Sequence, residues 1–81
     1  MTKEEVFEKV RHIISEKLAI DDLDSIKLES SFVNDLRADS MDILDLVNGF
    51  EEEFDISIPD EKGRTFETVE QAVDYLCSLV N

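Results

Sequence analysis

Asp39-Ser40-Met41-Asp42-Ile43-Leu44-Asp45-Leu46-Val47-Asn48-Gly49-Phe50-Glu51-Glu52-Glu53-Phe54 is the stretch whose reading decides the rest of the chain. Ile43, Leu46, Val47, Phe50 and Phe54 recur at the 3.6-residue period and share one face. A helix is therefore predicted from Met41 to about Phe54, with that face in the core. Asp39 suits the N-cap, where a carboxylate accepts from free first-turn N–H groups, and Asp42 adds a negative charge where the helix dipole favours one. Ser40 then lies in the first turn, at an exposed helix start. Projection at about 100° per residue also gathers Met41, Leu44 and Asn48 away from the core face. Packing gives no reason for two apolar side chains there. They lie inside a ring of carboxylates made by Asp39, Asp42, Asp45, Glu51 and Glu52.

On the N-terminal side, Thr2-Lys3-Glu4-Glu5 reads as a capping box, followed by a helix whose buried stripe is Val6, Val10, Ile13 and Ile14, widened by Phe7 and Leu18. His12 falls on its polar face, where a solvated role is expected. From Ala19 to Asp39 the period fails, and Ser30-Ser31 and Asn34-Asp35 carry turn chemistry. Unsupported loops of this length are uncommon in compact domains, so Leu28, Phe32 and Leu36 are expected to anchor it. Asp21, Asp22, Asp24 and Glu29 lack the glycine and final glutamate of a calcium-binding EF-hand loop.

On the C-terminal side, Ile56-Ser57-Ile58 has no second strand to pair with and is taken as an extended connector. Pro59 opens a single helical turn over Asp60-Glu61-Lys62 that Gly63 is expected to close. Phe66 should return to the core. Thr68-Val69-Glu70-Gln71 is a second capping box, and Val69, Ala72, Val73, Leu76 and Val80 give the last helix its inward face, with Cys77 at its edge. The expected architecture is all-α: a four-helix up-down bundle of three main helices and one short one, with a long first loop. One domain is expected over residues 1–81.

The formal net charge is −13, from 21 acidic and 8 basic residues. Such a field repels nucleic-acid phosphates and anionic membranes and attracts basic protein surfaces. One cysteine and one histidine exclude an internal disulfide and a Cys/His zinc site within the chain. Met1-Thr2-Lys3-Glu4-Glu5 has no signal-peptide pattern, and no apolar run approaches the ~20 residues of a membrane span. A cytoplasmic monomer that binds neither nucleic acid nor membrane is expected.

As a hydrolase nucleophile, Ser40 would require a base and oxyanion donors. Asp39 and Asp42 instead repel a developing alkoxide, and His12, the single imidazole, belongs to another helix. No catalytic residue and no metal site are assigned, and an enzyme is not expected. Spacing leaves two readings of Ser40 open: a helix-start residue beside a better cap, or an accessible acceptor for a phosphate-linked group.

Asp35-Leu36-Arg37-Ala38-Asp39-Ser40-Met41-Asp42, with Leu46-Val47, Glu51-Glu52-Glu53-Phe54-Asp55-Ile56-Ser57-Ile58-Pro59-Asp60, Thr68-Val69 and Ala72-Val73-Asp74-Tyr75-Leu76, resembles the acyl carrier proteins of dissociated fatty-acid synthesis. The resemblance spans essentially the whole chain. It implies that Ser40 is esterified by 4′-phosphopantetheine, transferred from coenzyme A by a separate transferase, and that acyl chains ride on the terminal thiol as thioesters. Under it, Asp39, Met41, Asp42, Leu44, Asp45, Asn48, Glu51 and Glu52 become a contact surface for basic patches on the transferase and on fatty-acid synthesis enzymes. Ile43, Val47, Phe50, Phe66, Ala72, Val73 and Leu76 become the lining of an acyl pocket, or else a plain packed core.

The chain also departs from that pattern. Arg37 stands where relatives usually have Gly, and Asn48 stands where an apolar contact residue is common. Gly49, inside the central helix, costs about 1 kcal/mol relative to Ala. A specialised carrier of polyketide, aminoacyl or peptidyl intermediates is a close alternative. An unmodified acidic interaction or cation-binding module is a more distant one.

Overall fold

A computed structural model of the chain describes residues 1–80. Helix α1 spans Lys3–Leu18, α2 Ser40–Phe54, α3 Asp60–Gly63 and α4 Val69–Val80, and a single 3₁₀ turn covers Leu23–Ser25. α1 packs against both α2 and α4, and the short α3 lies on α2. The described residues form an all-α bundle, as the periodicity predicts.

The two capping boxes form as read. Thr2 Oγ1 accepts from the Glu5 N–H at 3.2 Å while the Glu5 carboxylate accepts from the Thr2 N–H at 3.0 Å. Hydrogen bonding to the Thr2 backbone N–H, and after it to the Thr2 side chain, holds the Glu5 carboxyl below its usual range, because it favours the ionised form. At α4, Thr68 Oγ1 accepts from the Gln71 N–H, and Gln71 Oε1 takes the N–H groups of Glu67 and Thr68. Val6, Val10, Ile13 and Ile14 of α1 meet Leu46, Val47, Phe50 and Phe54 of α2 and Val69, Ala72, Val73 and Leu76 of α4 in one core.

The loop between α1 and α2 is more ordered than its sequence suggests. Ala19 ends α1 in the left-handed region at φ 55°, and the Ser15 carbonyl accepts from both Ala19 and Ile20. Asp22 caps the 3₁₀ turn through the Asp24 N–H. Of the three expected anchors only Phe32 is fully buried, and Leu28 and Leu36 are half-buried. Leu28 and Leu36 pack against the core, and Ile26 and Ala38 anchor the loop beside them. Ile26 is inaccessible and its carbonyl accepts from Arg11 Nε at 2.9 Å, and Ala38 donates its N–H to the Phe32 carbonyl at 2.8 Å. An antiparallel bridge, Ser31 to Thr68, ties this loop to the start of α4, so the extended segment that finds a partner is here and not at Ile56–Ile58.

Two glycines have steric reasons that periodicity does not show. A Cβ on Gly49 would lie 2.8 Å from Ile13 Cγ2, so the glycine permits the close approach of α1 to α2. Gly63 ends the short α3 turn as expected, and it does so without the left-handed backbone that glycine often supplies at helix ends, since no described glycine has positive φ. It is the buried last residue of α3, and a Cβ there would lie 2.7 Å from Val47 Cγ2. Helix propensity alone makes Gly49→Ala stabilising by about 1 kcal/mol. Overpacking against a β-branched core residue costs about 1–3 kcal/mol, so a lower melting temperature is expected for Gly49→Ala, and likewise for Gly63→Ala. A rise for Gly49→Ala in thermal melts would mean that the helices separate freely at this crossing.

Candidate functional site

Ser40 is the first residue of α2 and is exposed. On one side of it the Asp39 carboxylate accepts from the Asp42 N–H at 2.8 Å, and the Asp42 carboxylate accepts in return from the Asp39 N–H at 3.1 Å. Asp42 is therefore half of a reciprocal capping box, beyond the dipole-favoured charge read from the sequence. The box leaves the Ser40 hydroxyl outside it. Among the described residues, no group takes up that hydroxyl or the N–H groups of Ser40 and Met41.

The approach to Ser40 is held rigidly. Ser31 accepts at its carbonyl from Asp35 and Leu36, the Asp35 carboxylate accepts from the Ser31 N–H at 2.7 Å, and the Ser31 hydroxyl accepts from Asn34. With Leu36 and Ala38 both tethered, Arg37 adopts φ 59°. That is the left-handed region, which disfavours a residue with a Cβ by about 1–2 kcal/mol. The backbone thus keeps a glycine-type conformation with an arginine in it.

Along the outer face of α2, Met41 is 73% exposed, Leu44 is half-buried and Asn48 is exposed. The carboxylates around them divide into two kinds. Asp45 and Glu52 are exposed, and no described residue engages their side chains. Asp39 and Asp42 cap the helix, and Glu51 accepts from the Ile58 N–H at 3.2 Å, holding the connector after α2. Three of the five ring residues therefore support the fold as well as the surface.

Behind that face, Phe32, Ile43, Leu46, Val47, Phe50 and Phe66 enclose an apolar seam too narrow to admit a water molecule. Ile43, Val47, Phe50 and Phe66 were picked out by sequence, whereas Phe32 and Leu46 were not. Leu46 carries the helical period and Phe32 the anchor position, so both had a signal. Ala72, Val73 and Leu76 are inaccessible core residues of α4 and do not line the seam. His12 is exposed on α1, and among the described residues no group of three or more His, Cys, Asp or Glu side chains is placed to hold a metal ion.

A family model described as a phosphopantetheine attachment site matches residues 8–76. The chain belongs to the acyl carrier protein family. Consistent with this, the acyl carrier protein of Petrotoga mobilis (strain DSM 10674 / SJ95) is 46% identical over 81 residues, all of this chain and 94% of that one. The cofactor of the family is covalently held 4′-phosphopantetheine, and its members are carriers rather than enzymes.

The residues present fit such a group. Ser40 offers an accessible, unengaged hydroxyl, and the two open N–H groups of the first turn favour a phosphodiester at the positive end of α2. Arg37 has the left-handed backbone that favours glycine. Removing its Cβ should relieve the backbone cost, less what glycine adds to the entropy of the unfolded chain. Arg37→Gly is expected to raise stability by about 0.5–1 kcal/mol, read as a higher denaturant midpoint at unchanged slope. A lower midpoint would mean that contacts of the Arg37 side chain outweigh its strain.

Proposed function

We propose that Ser40 is the attachment point of 4′-phosphopantetheine and that residues 1–81 act as one carrier domain, presenting acyl thioesters to the enzymes of fatty-acid synthesis. The observation that carries this reading is the exposed, unengaged Ser40 hydroxyl at the capped start of α2, in a chain matched over residues 8–76 by a phosphopantetheine attachment model. A thioester carbonyl is more electrophilic than that of an oxygen ester and acidifies its α-carbon. The bond chemistry then belongs to partner enzymes. A cytoplasmic, monomeric state is part of the same proposal, in keeping with the free thiol of Cys77.

Partner recognition is assigned to Met41, Leu44 and Asn48 as the contact strip, with Asp45 and Glu52 as the free steering charges. Asp39, Asp42 and Glu51 add to the field from their structural positions. Rim charges raise on-rate more than affinity, which suits a carrier that must also leave. Incubation with a phosphopantetheinyl transferase and coenzyme A should add one pantetheinyl phosphate to the intact mass of the wild type and nothing to Ser40→Ala. The Asp45→Lys/Glu52→Lys variant should load about tenfold or more slowly with unchanged helical circular dichroism. No mass gain on the wild type defeats the carrier reading, and unchanged loading kinetics defeat the steering assignment.

The apolar seam is proposed as the place where an acyl chain enters, with Ile43, Val47, Phe50 and Phe66 parting to admit it and Ala72, Val73 and Leu76 forming the wall beyond. Entry has to widen the seam, since the unacylated protein closes it. Filling it stabilises the folded state by mass action of an attached ligand. A medium-chain acyl form is expected to melt higher than the unacylated holo form. Equal melting temperatures would leave these residues as core alone.

A further inference from the structure

Resting on the assignment of Ser40 as the attachment point, we infer that Arg37 is the counter-ion of the phosphodiester formed there and positions the root of the arm. Arg37 is the only basic residue between Lys27 and Lys62. It is exposed, and among the described residues it makes no ion pair. The two carboxylates nearest to it in sequence are occupied elsewhere. Asp35 accepts from the Ser31 N–H and Asp39 from the Asp42 N–H, so neither is committed to the guanidinium. A cation thus stands uncommitted in the most acidic part of the chain, three residues before the modified hydroxyl.

The backbone makes that position costly. Tethers at Leu36 and Ala38 impose φ 59° on Arg37, and strain of this kind persists at sites where a side chain has a task. Three residues span at most about 11 Å. An arginine side chain extending from one end and a phosphoester from the other can meet across that distance. The guanidinium fork matches the two non-bridging oxygens of a phosphodiester, and the pairing is charge-assisted. It also offsets the repulsion that a new anion meets from Asp39 and Asp42.

The test is a double difference. Apo and holo forms of the wild type and of Arg37→Gln, each verified by intact mass, are melted at about 10 mM and about 1 M salt. Gln keeps a Cβ, and so keeps the backbone cost, while removing the charge. A purely structural role shifts apo and holo equally. Pairing makes the holo-minus-apo change in melting temperature more favourable in the wild type by about 2–5 °C at low salt, and that excess fades at 1 M, where the Debye length is about 3 Å. Equal changes in the two proteins, or an excess that survives 1 M salt, overturn the inference. Failure of the attachment assignment is seen separately, as absence of the mass gain.

Discussion

Phe32 is held by three constraints at once, and the arrangement around Ser40 depends on them. Its ring is buried in the seam beside Ile43 and Phe66, its N–H donates to the Glu67 carbonyl, and its carbonyl accepts from Ala38. One residue thereby joins the long loop, the entry to α4 and the two residues that precede α2. A loop of this length carries many backbone polar groups that must be satisfied. Here many of them are met within the loop, by the α4 entry and by Arg11 of α1, which allows the loop to end in a defined place. The helix start, and Ser40 with it, is positioned by that ending.

A capped helix start in a strongly acidic setting explains why the serine can accept a group and cannot attack one. The Asp39–Asp42 box satisfies one first-turn donor and raises the local negative charge, so a serine alkoxide is disfavoured and no imidazole stands by to make it. The same first turn leaves two N–H groups and a hydroxyl open to solvent. Reactivity has been left to whatever approaches from outside, and the surface of α2 is arranged for approach. Its carboxylates share two duties. Some tie backbone and some are free, which sets limits on what charge reversal on this helix reports.

The helices, both terminal capping boxes and the inward faces of α1, α2 and α4 were legible because periodicity and capping are local and repeat every few residues. Pairings across longer gaps were not. Glu51 reaches Ile58 seven residues on, Arg11 reaches Ile26 across fifteen, and Ser31 meets Thr68 from another part of the chain. No spacing rule foretells such bonds, since they exist only after the loop has folded back. Leu28, Phe32 and Leu36 do pack on the core, but that Ile26 and Ala38 are buried more deeply than Leu28 and Leu36 was hidden for the same reason. Hydrophobicity says what prefers burial, and the path of the backbone decides which residue receives it.

For the functional site, Ser40, its place in a first turn, the Met41/Leu44 strip and the acidic ring followed from residue types at helical spacing, and the motif around Ser40 pointed to the family. Those features are properties of one helix, so the sequence by itself determined them. Tertiary structure decided which carboxylates are free, that Phe32 and Leu46 close the seam while Ala72, Val73 and Leu76 stand behind it, and why Gly49 and Gly63 carry no side chain. It also decided that Arg37 takes a glycine's conformation. Each of these depends on where a second segment lies, and a helix's own periodicity holds no information about its neighbour.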